Sequence, residues 1–298
     1  MVKIIKKHFR FLKCFFFALT LIYSSSANSA AHCLSKEQQL NSVKDWSEVS
    51  RIVDGDTIHL KNGRKIRFIG INTPEIGYKG KPSQPFSQQA KKSLQSLLQQ
   101  NQKVGLYYDK ERKDKYKRTL AYVILSDGQN VAEVLLKKGL AQSIVVPPND
   151  QQINCFRQLE KQARQANSGI WQLAENQLIS AAALPLKTKG YRLISGQISS
   201  YNESRKSIYL QLTNKLAIRI AKKDKRYFSN TNLKSIVGKK VLVRGWLNTY
   251  KGRQSIHLRS EHDLEITPEE IEFRVQSSEF RVQSSERAKA RAKDINSR

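Results

Sequence analysis

Between residues 43 and 124 the chain alternates apolar and polar positions in short runs, which is the period of half-buried β-strands. The runs are WSEVSRIVD, TIHLK, KIRFIGI, KVGLYYD and TLAYVIL. Asn62-Gly63 separates the second run from the third, and this dipeptide favours a two-residue hairpin. Pro74 ends the third run, because proline cannot donate to a strand ladder. The pattern predicts a sequential, antiparallel set of strands.

Three segments among and after these strands are predicted to be helices. FSQQAKKSLQSLLQQ repeats apolar residues at helical spacing, and NVAEVLLKKGLA is ended by Gly139. A third helix, over about 150–166, follows the turn at Pro147-Pro148-Asn149. Residues 32–44 are expected to form a polar lead-in. The economical arrangement is a small closed barrel with helices packed against it, in a mainly β, α+β fold.

A second β-rich segment occupies residues 190–266, after a connection at 173–189 that we interpret as a linker. Its five alternating runs are YRLISGQISSY, SIYLQLT, LAIRIAK, KKVLVRGWLNTY and QSIHLRS. They predict a second small, OB-like barrel. Lysines and arginines lie among Tyr201, Tyr209, Tyr227, Trp246 and Tyr250, a composition suited to binding nucleic acid. The alternative is that the aromatic residues are core and the charges only solvate the surface.

The two ends of the chain have other signatures. Residues 1–31 combine five basic residues, the apolar run CFFFALTLIY and small residues near Ala30 and Ala31, which predicts a signal peptide. The apolar run is short for a membrane span, which needs about 20 residues. We therefore expect export, to a periplasm or the medium, without a permanent membrane anchor; an uncleaved anchor is the alternative. Residues 267–298 form a tail with the repeat EFRVQSSEFRVQSSE, expected to be flexible.

Charge and cysteine content add two constraints. The net charge of +28 favours a polyanionic partner, most often nucleic acid, with an anionic membrane or cell-wall polymer as the competing interpretation. Cleavage of the leader would leave Cys33 and Cys155, which either form one disulfide in an oxidising compartment or remain free thiols. The chain has no CxxC motif and no Cys/His set with zinc-ligand spacing.

The candidate chemistry lies in RIVDGDTIHLKNGRKIRFIGINTPE, residues 51–75. Asp54 and Asp56 flank a glycine, and their oxygens suit a hard cation such as calcium. Arg67 suits a phosphate, and Glu75 is a candidate general base for water. Each residue also has a plain structural interpretation: the Asp-Gly-Asp turn is common, Glu75 is a loop acid, and Arg67 pairs with a carboxylate.

These motifs together resemble the staphylococcal nuclease (thermonuclease) family. The resemblance covers roughly Val43 to Trp171, or 43–172 as a domain, and rests on six pieces in order. They are Asp54-Gly55-Asp56-Thr57, Arg67, Thr73-Pro74-Glu75, Asp114-Lys115-Tyr116 with Arg118, Leu120-Ala121-Tyr122, and Gly169-Ile170-Trp171.

What the resemblance implies is a calcium-dependent nuclease on a five-stranded OB-type barrel with three helices. Asp56, Asn72 and the Thr73 carbonyl would hold Ca²⁺. Glu75 would orient or deprotonate the attacking water, Arg67 and Arg118 would bind the scissile phosphate, and Tyr116 would contact the substrate. Of these roles, the phosphate clamp also follows from the permanent charge of arginine.

Three residues or segments depart from the family pattern. Asn72 stands where the type member has a second calcium-binding aspartate, so an oxygen ligand remains and a negative charge is lost. Lys117 replaces a glycine before Arg118, a change that constrains the loop if the backbone there needs a positive φ. SIVVPPND, residues 143–150, lacks the tyrosines that pack on the substrate nucleoside in the type member.

Two functional hypotheses follow. The favoured one is an exported, calcium-dependent nuclease that hydrolyses phosphodiester bonds of DNA, RNA or both. The alternative is a non-catalytic nucleic-acid-binding or adhesion protein whose nuclease site is impaired at Asn72. Retention of Arg67, Glu75 and Arg118 favours the enzyme, since binding alone does not require a glutamate facing a phosphate.

Overall fold

A computed structural model of the chain describes residues 33–98 and 102–267. The predicted signal peptide (1–31) and the repeat-containing tail beyond residue 267 lie outside the described residues, as does the predicted helix end at residues 99 and 100. None of the helices in the described ranges is both long and apolar enough to cross a membrane.

Five strands of the first half close into a barrel in the order β1-β2-β3-β6-β5. The first seven strands are β1 (Asp45–Ile52), β2 (Thr57–Leu60), β3 (Lys65–Phe68), β4 (Ile71–Asn72), β5 (Lys103–Tyr107), β6 (Thr119–Ile124) and β7 (Gln142–Ser143). β1 is long enough to pair with β5 through its first half and with β2 through its second, across a register shift after Val49. That double pairing closes the barrel.

The barrel departs from the purely antiparallel set predicted from the sequence. β3 and β6 run parallel, with Arg67 opposite Leu120, and the chain connects them through a helix and β5. Closure of five strands imposes this pairing, because β6 must lie between β5 and β3. Inward side chains such as Ile58, Ile66 and Leu106 are fully buried. The alternation in the sequence therefore found the strands but not the direction of this pair.

Four α-helices are present among the described residues of the first half: α1 (Lys36–Ser42), α2 (Ser87–Leu98), α3 (Val131–Lys137) and α4 (Ile153–Gln165). Two short 3₁₀ helices, Gly169–Gln172 and Ala174–Asn176, follow α4. Three of the four α-helices are the predicted helices. α1 lies in the segment expected to be an irregular lead-in. Ser35 and Gln38 form a capping box at its start, which satisfies otherwise unpaired backbone N–H groups.

Cys33, just before α1, forms a disulfide with Cys155 of α4, at a Cα–Cα distance of 4.8 Å. Gln39 of α1 is buried and donates to Glu133 of α3 through a 2.8 Å hydrogen bond. The disulfide and this buried contact attach the short helix to the barrel domain.

The second half forms one larger sheet, in the order β10-β11-β12-β14-β13-β9-β8, with β15 paired to β13. Its strands are β8 (Leu178–Ser180), β9 (Gly190–Gln197), β10 (Ser200–Glu203), β11 (Ser207–Gln211), β12 (Leu216–Ala221), β13 (Lys240–Tyr250), β14 (Arg253–Leu258) and β15 (Leu264–Ile266). β12 and β14 run parallel, as β3 and β6 do in the barrel. If β9 and β10 count as one interrupted first strand, the connectivity of the two halves is the same.

Two details of this sheet differ from the sequence-based expectation. The segment 173–189, predicted as a linker, contains β8, which pairs in parallel with β9 and so belongs to the sheet. The single run YRLISGQISSY is divided into β9 and β10 at Ile198, whose side chain is buried. A three-residue strand such as β8 has too few positions to display an alternating pattern.

The two halves meet through buried ion pairs on α4. Arg244 of β13 donates to Glu160 over 2.5 Å, and Arg157 donates to Asp263 over 2.6 Å. Glu160 also accepts from the backbone N–H of Ser143, at 2.6 Å. Because Ser143 lies in β7, which pairs with β4, these contacts join the second sheet to the strand that carries Asn72.

Candidate active site

The Asp54-Gly55-Asp56 turn lies between β1 and β2 and packs against Thr73. Asp54 accepts a hydrogen bond from the backbone N–H of Asp56 at 2.9 Å, which closes the turn. A Cβ added at Gly55 would lie 2.8 Å from the side chains of both Thr73 and Ala90. Glycine is therefore required here for the turn to approach Thr73 so closely.

Asp56 is buried and saturated with donors. Its Oδ2 accepts from the backbone N–H of Thr73 at 2.8 Å and from the Thr73 hydroxyl at 3.1 Å. Its Oδ1 accepts from the Thr57 hydroxyl at 3.0 Å and pairs with Arg67 Nε at 3.1 Å. These four contacts fix the carboxylate in one orientation.

Arg67 is directed by β3 toward this carboxylate and uses most of its donors within the protein. Its Nη1 donates to the carbonyl oxygens of Phe68 and Ile71 at 2.7 and 2.8 Å, and its Nη2 donates to Asn72 Oδ1 at 3.1 Å. With Nε on Asp56, a guanidinium has one N–H left, on Nη2. Arg67 therefore organises the carboxylate and amide around it and offers one further hydrogen bond to a ligand.

Asn72 and Thr73 place two more oxygens beside Asp56. Asn72 Nδ2 lies 3.5 Å from the Thr73 carbonyl oxygen, so the side chain and the carbonyl are neighbours. The three predicted metal ligands, Asp56, Asn72 and Thr73, are thus neighbours; the carboxylate, amide and carbonyl each contain an oxygen, although Asn72 Oδ1 faces Arg67 here. Such a set fits a hard divalent cation. Asp54 stands next to it with carboxylate oxygen positions still unused.

Glu75 follows on a loop whose ends are tied together. Its backbone N–H donates to the Gln84 side chain at 2.8 Å, and Gln84 N–H donates to the Glu75 carbonyl at 2.9 Å. The Glu75 carboxylate itself makes no hydrogen bond within the described residues. It remains accessible to solvent and free to accept a proton.

The carboxyl groups of Asp54, Asp56 and Glu75 act on one another electrostatically. Burial and the neighbouring Asp56 carboxylate raise the pKa of Asp54 to about 6. Partial burial, with Asp56 again contributing, raises the pKa of Glu75, whereas Arg67 and Arg118 act to lower it. Both arginines therefore lie within electrostatic range of Glu75. Carboxylates that oppose each other's ionisation in this way favour a bound cation.

Arg118 is held by Asp114. Arg118 Nε donates to Asp114 Oδ2 at 2.7 Å, and its backbone N–H donates to Asp114 Oδ1 at 2.9 Å. Its two terminal nitrogens have no hydrogen-bond partner in the described residues. Lys117, the departure from glycine, does adopt a positive φ of 62°. The guanidinium also lies 5.6 Å from the ring of the exposed Tyr116.

Arg67, Tyr116 and Arg118 line one cleft of 390 Å³. Ile144 and Val146 form part of its wall, at the segment that lacks the expected tyrosines. The cleft therefore offers an aliphatic surface there in place of an aromatic one. Arg259, which follows β14 in the second half, also lines this cleft.

Most of these residues were predicted from the sequence, but several of the contacts between them were not. Asp56, Asn72, Thr73 and Arg67 contact one another, and Arg118 reaches Glu75 only through its electrostatic field. The support of Arg118 by Asp114 was not foreseen, although their i,i+4 spacing was a signal. Arg259 is one of the basic residues of the second segment that suit nucleic acid, but its approach to this cleft was not predicted, because the two domains were predicted separately.

Comparison with known proteins identifies the family of this barrel domain. Residues 65–173 match the family model described as staphylococcal nuclease homologue. The thermonuclease of Staphylococcus intermedius is 43% identical over 128 residues, which cover 42% of this chain and 74% of that protein. The thermonuclease of Staphylococcus hyicus is 40% identical over 134 residues, covering 44% and 78%. The endonuclease YncB of Bacillus subtilis is 40% identical over 128 residues, covering 41% and 60%.

The barrel and these matches define a nuclease, a hydrolase that acts on nucleic acids. The chain belongs to the staphylococcal nuclease family, whose members depend on a metal ion. The family model ends at residue 173, so the second sheet lies outside the matched region.

Proposed function

We propose that the protein is an exported, calcium-dependent nuclease that hydrolyses phosphodiester bonds of DNA, RNA or both, with Glu75, Arg67 and Arg118 as its catalytic groups. The observation that carries this proposal is the Glu75 carboxylate. It has no hydrogen-bond partner within the described residues, and Asp56, Arg67 and Arg118 all act on it electrostatically. An unpaired carboxylate in the field of two arginines is placed to accept a proton from water.

In the proposed reaction Glu75 accepts a proton from water as the water oxygen bonds to phosphorus. The bond from phosphorus to the leaving oxygen then breaks, that oxygen takes up a proton from solvent water, and Glu75 afterwards releases its proton to solvent. Arg118 directs its free terminal nitrogens at the phosphate oxygens, where negative charge grows, and Arg67 adds its remaining N–H. Tyr116, beside Arg118, contacts the adjoining part of the substrate.

Asp56, Asn72 and the Thr73 carbonyl would hold the cation, with Asp54 as a further acidic neighbour. A bound Ca²⁺ would neutralise phosphate charge and lower the repulsion that the water meets. Because the four contacts of Asp56 occupy its oxygens, binding requires at least one of its present donors to move aside. Thr57 and Thr73 supply hydroxyls that rotate readily.

Export is supported by two independent features. The first is the N-terminal pattern of residues 1–31, and the second is the disulfide between Cys33 and Cys155. Disulfides persist in secreted and periplasmic proteins and are rare in the cytosol. We therefore place the mature protein outside the cytoplasm.

The second candidate function, a nucleic-acid-binding protein without catalysis, is favoured by one contact. Asn72 Oδ1 accepts a hydrogen bond from Arg67. The oxygen that would bind Ca²⁺ therefore faces the guanidinium of Arg67 instead. If that contact persists in solution, the site would hold Ca²⁺ weakly.

A cleavage assay decides between the two functions. Single-stranded DNA, duplex DNA and RNA are incubated with the protein in calcium or in chelator, and the products are resolved on a gel. We expect cleavage in calcium alone, and a loss of about 100-fold or more in Glu75→Gln. Glu37→Gln is the matched control, because Glu37 is an exposed acid on α1. Binding without cleavage by the unaltered protein would select the second function.

A further inference from the structure

A second cleft, of 420 Å³, lies where the two halves of the chain meet. Asn72 and Pro74 contribute to it from the nuclease half, and Lys189, Arg192 and Trp246 contribute from the second sheet. Its first wall is the segment that carries the candidate metal ligand Asn72. A ligand in this cleft would therefore lie next to the reaction centre.

Trp246 gives this cleft an aromatic surface. The indole is 48% exposed, although it lies near the middle of β13, between neighbours in the sheet. Its ring meets the ring of Tyr191 edge-on, with centroids 4.8 Å apart, which limits the rotation of both. A fixed, exposed tryptophan at the end of a polar cleft is a suitable platform for stacking a nucleobase.

Two cations border the same cleft. Arg192 is anchored by a hydrogen bond from Nη1 to the Tyr191 carbonyl at 2.7 Å, and Lys189 has no ion pair among residues 33–98 and 102–267. Glu175 also lines the cleft, but one carboxylate offsets only part of the positive charge of Lys189 and Arg192. Aromatic and cationic side chains in one groove are the combination that binds single-stranded nucleic acid.

The second sheet also contributes to the cleft that contains the two candidate phosphate-binding arginines. Arg259 lines the cleft that contains Arg67 and Arg118, and it too has no ion pair in the part of the chain that the structure describes. The second sheet therefore borders both clefts. Its orientation is fixed by the buried contacts Arg244–Glu160 and Arg157–Asp263.

We propose that the cleft of Trp246 is a subsite for an unpaired nucleotide of the substrate strand, adjacent to the nucleotide whose phosphate is cleaved. Trp246 stacks on the base, and Lys189 and Arg192 bind the backbone phosphate. This proposal rests on the proposed function, since it takes the reaction centre to be at Glu75. If the subsite is used, the substrate is a single strand that extends from the barrel domain into the second half of the chain.

The test is equilibrium binding of labelled single strands to the full chain in chelator, so that no cleavage occurs. Two probes are compared, a dinucleotide and a strand of about 12 nucleotides. We expect Trp246→Ala to weaken binding of the longer strand about tenfold, and Trp246→Phe to keep most of the affinity. The dinucleotide, which fills one cleft only, should bind all proteins equally. Trp46→Ala is the matched control, because Trp46 is a partly exposed tryptophan of β1 that lines neither cleft.

Two results would overturn the subsite. One is unchanged affinity of Trp246→Ala for the longer strand, and the other is an equal loss for both probes, which would indicate general damage to the fold. Failure of the proposed function has a different signature: the unaltered protein would cleave no substrate in calcium, or Glu75→Gln would cleave as well as the unaltered protein. Binding in chelator is independent of that outcome.

Discussion

Arg244→Met tests how firmly the second sheet is attached to the nuclease half. The Arg244 and Glu160 side chains are 6% and 2% exposed, and Nη1 lies 2.5 Å from Oε1. Removal of Arg244 leaves Glu160 with the Ser143 N–H and with Arg164, whose Nε is 3.6 Å away. Loss of one partner from a buried pair costs about 3–5 kcal/mol. Because Arg164 remains, we expect a loss of about 3 kcal/mol in the free energy of unfolding.

The assay is urea denaturation of the full chain, followed by circular dichroism. Adding Glu160→Gln to Arg244→Met should recover part of the loss, since the buried carboxylate that has lost its nearest cation is then absent, and the double-mutant cycle with both single variants isolates the pair. Lys36→Met is the matched control, because Lys36 pairs with Asp127 on the surface and should cost no more than about 1 kcal/mol. A loss below about 1 kcal/mol for Arg244→Met, or no recovery in the double variant, would refute the reasoning.

Three further predictions concern the metal site, a buried acid and the disulfide. Asn72→Asp restores a carboxylate and should tighten calcium binding about tenfold by titration calorimetry; unchanged affinity would remove Asn72 from the ligand set. Burial raises the pKa of Glu133 in the folded protein. Protonation of Glu133 therefore favours the folded state at pH values below the ordinary pKa of a glutamate, and this stabilisation is lost as pH rises through the raised pKa. Glu133→Gln should therefore raise the melting temperature at about pH 7 and lose that gain at about pH 4; a gain independent of pH would contradict this. Cys33→Ser should lower stability by about 2–5 kcal/mol in urea titration, because the disulfide spans 122 residues; equal stability would show that the loop is constrained otherwise.

Local sequence features predicted the elements of the barrel well. Alternation identified β1, β2, β3, β5 and β6, and Asn62-Gly63 identified the hairpin, because these signals depend on neighbours along the chain. The parallel pairing of β3 with β6 depends on closure of the whole barrel. The capping box of α1 was present in the sequence, but a seven-residue helix with one buried side chain has little apolar periodicity.

The candidate site was predictable in composition and less so in its contacts. The residue types at Asp56, Asn72, Glu75 and Arg118 indicated a metal and a phosphate. The sequence did not reveal that Arg67 donates three hydrogen bonds within the protein, to Phe68, Ile71 and Asn72. The first two of these bonds are to backbone carbonyls, which any residue carries, so they leave no signature in the sequence. The approach of Arg259 to the cleft depends on docking between two domains, which no local pattern encodes.

The most direct test of the account is a crystal structure of the protein with Ca²⁺ and a nucleoside bisphosphate. We expect one phosphate within about 3 Å of the terminal nitrogens of Arg118 and of Arg67 Nη2, with Glu75 facing it. The ion should contact Asp56 and the Thr73 carbonyl oxygen. A phosphate bound away from Arg118, or an ion that does not touch Asp56, would contradict the proposed site.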